Sequence, residues 1–135
     1  MTGERNLAKL VSTMSPIVNP GTFVFANVVE PDDSVLAEAV VIVREREGVT
    51  VVLEQGRADE LRLAYDFVAK WITLQVHSSL EAVGLTGAFG GALAAAGISA
   101  NVVAGYYHDH IFVPVADGDA AVACLLRLAR TALEG

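Results

Sequence analysis

Near the start of the chain the apolar residues Leu7, Leu10, Val11 and Met14 fall at i, i+3, i+4 and i+7, one face of a short helix. Pro16 ends it, because proline disfavours the helical conformation in the residue before it. Pro20-Gly21 marks a turn, and the β-branched and aromatic run over 22–29 predicts a strand. Residues 30–37 read as a loop, opening on Glu30-Pro31-Asp32-Asp33-Ser34. Val40 to Val43 predict a strand over 38–46. Gly48 turns the chain and residues 49–54 return, completing a hairpin. A short helix is expected over 56–63.

The second half carries stronger periodicity. Over 67–78 strict alternation puts Ile72, Leu74 and Val76 on one side, as core, and Trp71, Thr73, Gln75 and His77 on the other. That second face is mixed, which suits half exposure or an interface. Residues 84–96 predict a helix with the stripe Leu85, Phe89, Leu93 and Ala96, ended by Gly97. Gly87, Gly90 and Gly91 lie inside it, each less favourable than alanine by up to ~1 kcal/mol; glycine is kept where something packs against the backbone. A strand over 98–106, a turn at Tyr107-His108-Asp109 and a strand over 110–115 follow. Asp117 is placed to cap a last helix, which buries Ala121, Val122, Leu125, Leu128, Ala129 and Leu133.

The two halves repeat one order, a hairpin followed by a helix with an acidic start, at Glu38 and again at Ala100. Two related units are expected, residues 1–66 with the crossover helix reduced to the 30–37 loop, and residues 67–135. The fold class is α+β, ferredoxin-like: an antiparallel sheet with helices packed on one face.

Composition narrows the function. Hydrophobic residues make up 53% and charged residues 19% of the 135, against a usual apolar share of ~45–50%, so the chain folds and has apolar surface to spare for a partner subunit. The net charge is −7, and the densest basic stretch, around Arg44 and Arg46, is interleaved with Glu45 and Glu47. No positive footprint for phosphates exists, which argues against nucleic acid. The single cysteine, Cys124, sits among apolar neighbours and reads as an inert core thiol. No signal core or spanning segment is evident, so a cytoplasmic protein off the membrane is expected.

The stretch over 72–115 resembles an ACT domain. The features that carry this are Val83-Gly84-Leu85 after a strand, then Phe89 and Leu93, then Gly97-Ile98-Ser99 opening the next strand. It is similar to the regulatory domains of aspartate kinases, and the segments VHSSLEAVGLT and YYHDHIFVP bring the whole chain close to small standalone bacterial proteins made of two ACT-like units. The resemblance implies a non-catalytic regulatory module that binds an amino acid or similar effector between paired domains. It also implies a homodimer and a regulated enzyme on a separate chain. In that pattern the loop of Ser79, Glu81, Val83 and Gly84 and the strand around Asn101 hold the effector.

Physical chemistry supports that placement, since backbone N–H groups at a helix start lack intrahelical partners and suit a carboxylate. Backbone groups of Val83, Gly84, Leu85 and Thr86 would take the ligand carboxylate, with Glu81 or Asn101 taking its ammonium; Tyr106 is a candidate for the pocket wall. The plainer alternative is that Ser78, Ser79 and Thr86 only cap the helix. No cofactor or metal is expected. His77, His108 and His110 fall near the two marked segments, and a metal-dependent enzyme using them is the lesser alternative, beside a purely structural partner-binding protein.

Overall fold

The computed structural model describes residues 6–76 and 83–134. In chain order the elements are α1 (Leu7–Thr13), β1 (Ser15–Val18), β2 (Phe23–Val28), α2 (Asp33–Glu38), β3 (Val41–Glu45), β4 (Gly48–Glu54), α3 (Gln55–Glu60), β5 (Phe67–Gln75), α4 (Leu85–Ala95), β6 (Asn101–Ala104), β7 (Asp109–Pro114), a 3-10 turn (Val115–Asp117) and α5 (Gly118–Glu134). They form two units, Pro20–Ala69 and Met1–Asn19 with Lys70–Gly135. A division at 66/67 was expected. Instead the first segment of the chain packs with the last.

In the unit Pro20–Ala69 the strand order is β3-β4-β2-β5, all antiparallel, with only the start of β5 taking part: Phe23 pairs with Ala69 and Phe25 with Phe67. Val24, Ala26, Val49, Val51 and Leu53 face α2 and α3 and make the core with Val35 and Ala58. The order is a split βαβ with a returning fourth strand. The expected loop over 30–37 is in fact entered by α2, so the crossover helix is present. The side chain of Asp32 accepts a hydrogen bond from Val35 N at 3.0 Å, which starts the helix despite Pro31. The turn between β3 and β4 falls at Arg46-Glu47 rather than at Gly48, which opens the returning strand with φ 145°.

The other unit has the order β1-β5-β7-β6. Here the later part of β5 pairs with β1, Ser15 opposite Gln75 and Val18 opposite Ile72. β1 was not expected, because four residues with a proline give almost no strand signal; an edge position is where a strand tolerates proline. It takes the fourth-strand place that completes the split βαβ. Ile72, Leu74, Val76, Ile111 and Val113 meet Leu10 and Val11 of α1, Leu85, Phe89 and Leu93 of α4, and Ala121, Leu125 and Ala129 of α5 in one core. The expected strand over 98–106 is shorter, Asn101–Ala104, since Ile98 turns into that core.

Candidate functional site

Gly84 forms the N-cap of α4 with φ 97°, in the left-handed region where a side chain is strained. A Cβ there would also stand 3.1 Å from Leu7 Cδ2 of α1. The first intrahelical bond runs from Ala88 N to Gly84 O at 2.8 Å, so the amides of Leu85, Thr86 and Gly87 precede the hydrogen-bonded ladder. Gly84 offers no side-chain cap, and the first turn of α4 holds no acid. Val83 and Thr86 are exposed, whereas the Leu85 side chain is in the core and leaves only its backbone outward. The start of α2 contrasts with it: Asp32 occupies that cap and Asp33 lies in the first turn. Two carboxylates repel an anion there, whereas among the described residues the start of α4 carries no acid in its cap or first turn.

The split βαβ connection makes β5 and β6 parallel, so the β6–β7 hairpin turns at the end of the sheet where α4 begins. At that turn Asp109 alternates with Ile111 and Val113 and so lies on the helix side of the sheet. Its residue is 9% exposed, and its carboxylate takes no hydrogen bond or ion pair from the described residues. Burial pushes its pKa up; the nearby His110 and His108 pull it down less strongly. The Nδ1 of His108 is buried with no partner among the described residues.

His110 projects from the opposite face. Its Nδ1 lies 3.1 Å from Trp71 Nε1 and 3.1 Å from Thr73 Oγ1. The Trp71 ring stacks on Phe112, with centroids 6.0 Å apart and planes at 20°. Burial lowers the His110 pKa, His108 adds to this, and Asp109 opposes it.

The sequence-derived candidates separate here. Gly84, Leu85 and Thr86 lie at the open helix start, beside Val83. Asn101 begins β6, about 10 Å along the strand from the turn at ~3.3 Å per residue, and its Nδ2 reaches Phe112 O at 3.5 Å. It is at the wrong end of β6 to share a small ligand with Gly84. Tyr106 is 74% exposed and packs edge-on against Tyr107, with centroids 4.9 Å apart. Ser79, Glu81 and His77 lie outside the described residues. Among the described residues no group of three or more His, Cys, Asp and Glu could hold a metal ion, and no helix is long and apolar enough to cross a membrane. Cys124 is buried and free.

Residues 2–70 match the ACT domain family, and residues 67–127 match it a second time. The chain is a tandem ACT-domain protein. The two matches overlap on the start of β5, the strand that both ACT units use. Among solved structures, a protein of unknown function from Vibrio cholerae, described as a possible transport protein, is 44% identical with a TM-score of 0.82, over 91% of this chain and 95% of that one. A protein from Agrobacterium tumefaciens is 15% identical with a TM-score of 0.68, over 86% of this chain and 89% of that one. The ligand-free regulatory subunit of aspartate kinase from Thermus thermophilus has the same fold at 7% identity, with a TM-score of 0.62 over 84% of this chain and 95% of that one. No curated protein matches the chain. The ferredoxin-like, tandem ACT architecture expected from the sequence is therefore the one found, and this tandem ACT protein belongs with regulatory, ligand-binding modules.

Proposed function

We propose that the protein is a regulatory module for a free amino acid, held where α4 begins and the β6–β7 hairpin turns. The observation that carries this is one end of one unit offering both halves of zwitterion recognition. The amides of Leu85, Thr86 and Gly87 meet a carboxylate at a helix start with no acid in its first turn. Asp109, buried and without a partner among the described residues, receives the ammonium. Gly84 supplies the left-handed turn that starts the helix, where a Cβ would press on Leu7 of α1. Binding gives the helix start and the Asp109 carboxylate charge-assisted hydrogen bonds. It thereby biases how ACT units pair, which is an allosteric role toward a separate enzyme chain.

The test is a thermal-shift screen of the twenty amino acids, each beside its decarboxylated amine and its deaminated acid. An amino acid at about 100 to 1,000 times its Kd stabilises the fold by ~2.7–4.1 kcal/mol. The amine and the acid each lose one contact and shift the melting temperature less. Silence across all amino acids, or equal shifts from amine and amino acid, would sink the reading.

A second reading, pairing between copies, draws on α4. A Cβ at Gly87, Gly90 or Gly91 would meet nothing within 4 Å. Among the described residues nothing packs on the three glycines, although each weakens the helix by about 0.8–1 kcal/mol relative to alanine. A homodimer with α4 against its symmetry mate gives them one. Light scattering of the protein and of Gly91→Leu separates the cases: dissociation in the variant supports the α4 interface, and a monomeric parent protein removes it.

A further inference from the structure

The end of α4 and the middle of α5 leave between them a cavity of about 320 Å³, within the ~300–1,000 Å³ usual for small-molecule sites. Ala92, Ala95 and Ala96 reach it from α4, at i, i+3 and i+4; Cys124, Arg127, Leu128 and Thr131 reach it from α5, at i, i+3, i+4 and i+7. Phe89, Leu93 and Leu125 set the spacing of the two helices in the core beneath, and the alanine methyls above them are too short to close the gap. We infer that this cavity is a second ligand site, for a small apolar molecule that carries one carboxylate.

Its floor is apolar: alanine methyls, Leu128 and the buried, free thiol of Cys124. α4 holds no charged residue, so among the described residues the Arg127 guanidinium is the one charge lining the cavity. Arg127 has no ion pair or hydrogen bond among the described residues, although acids outnumber basic residues 16 to 9 in the chain. The end of α4 does not need it: the carbonyls of Ala92, Leu93 and Ala94 already accept from the amides of Ala96, Ile98 and Gly97. Thr131 is equally free. Thr13 returns its hydroxyl to Lys9 O at 3.0 Å, whereas the Thr131 hydroxyl has no partner among the described residues. A guanidinium fork takes a carboxylate through two parallel hydrogen bonds, the hydroxyl adds a third, and the hydrocarbon part lies on the methyls. An ammonium finds no acid on these walls. Ala92 also stands ~10 Å along the helix from Leu85, at ~1.5 Å per residue, so this ligand is not the one held at the start of α4.

Hexanoate, hexanol and hexylamine, titrated into the whole chain and followed by methyl carbon-13 spectra, test this. With hexanoate the methyls of Ala92, Ala95, Ala96, Leu128 and Thr131 should shift together and saturate. Hexanol on the unmodified protein, and hexanoate on Arg127→Gln, should bind roughly threefold to tenfold more weakly, and Arg127→Lys should recover part of the difference. Hexylamine should leave these methyls still. Cys124 is the single cysteine of the chain, so its alkylation rate gives a second readout, slowed by hexanoate in the unmodified protein and less so in Arg127→Gln. The inference fails if hexanoate moves none of these methyls, if hexanol matches it, or if Arg127→Gln binds it unchanged. Shifts confined to Thr86, at the start of α4, would also overturn it. So would shifts of the cavity methyls on concentrating the protein alone, which would give the cavity to a second copy.

Discussion

At the scale of single residues, Asp109 works against the fold that holds it. Its folded pKa is raised above 3.8 by burial, so the ionised carboxyl is disfavoured in the native state. Asp109→Asn is therefore expected to raise stability at neutral pH, by roughly 1 kcal/mol, the low end for an unpaired buried polar group. The same variant should lose amino-acid binding. A lowered melting temperature in that variant would instead make the carboxylate a structural group. His110 acts in a different window. Its folded pKa lies below 6.5, so as pH falls through 6.5 the unfolded chain takes up a proton first. Stability then declines until the folded value is reached and levels off below it. Asp109 has the opposite sign: as pH falls from its raised folded value toward 3.8, the native state binds the proton first and gains. Urea unfolding across the acid range should show the first decline in the unmodified protein and lose it in His110→Gln. Asp109 was also the residue least legible in the sequence. Assigning it to a turn hid the alternation that it shares with Ile111 and Val113, whereas Ile72, Leu74, Leu85, Phe89 and Leu93 declared themselves by periodicity and are all buried.

Among the elements, those with long periodic patterns were readable, and those set by one local contact were not. α4 and α5 follow from their apolar stripes, although Ala96 and Leu133, expected on them, are exposed. α2 depends on the Asp32 cap, and β1 on a neighbour far along the chain, so propensity over their few residues is silent. Two tight sites test this local control. Arg62 ends α3 with φ 59°, the one described non-glycine residue at positive φ, and its N–H bonds Asp59 O. Arg62→Gly should stabilise the protein by about 1 kcal/mol in a chemical denaturation curve, because glycine meets no Cβ penalty in that region. Gly48, at φ 145°, has the Asn27 side chain and the Val28 carbonyl where a Cβ would go. Gly48→Ala should destabilise by roughly 1–3 kcal/mol, and an unchanged midpoint would mean that the β3–β4 hairpin shifts at little expense.

For the molecule as a whole, the sequence disclosed two units but suggested that they follow one another. The two family matches do so, over 2–70 and 67–127, while β1 from the first segment pairs with β5. Val18 lies opposite Ile72, and Asn19 N donates to Trp71 O at 2.9 Å, so the chain leaves one ACT unit and re-enters it at adjacent points of an antiparallel pair. β1 and β5 are thus two strands of one antiparallel pair that the whole of Pro20–Ala69 separates along the chain. Excising that stretch and joining Asn19 to Lys70 through an Asn-Gly turn should leave a smaller protein that folds on the remaining core, with a cooperative melt and dispersed amide spectra. Residues 67–135 made alone lack the edge strand and should not fold so. During synthesis β1 therefore emerges well before β5 and waits, unpaired, until the intervening unit has been made.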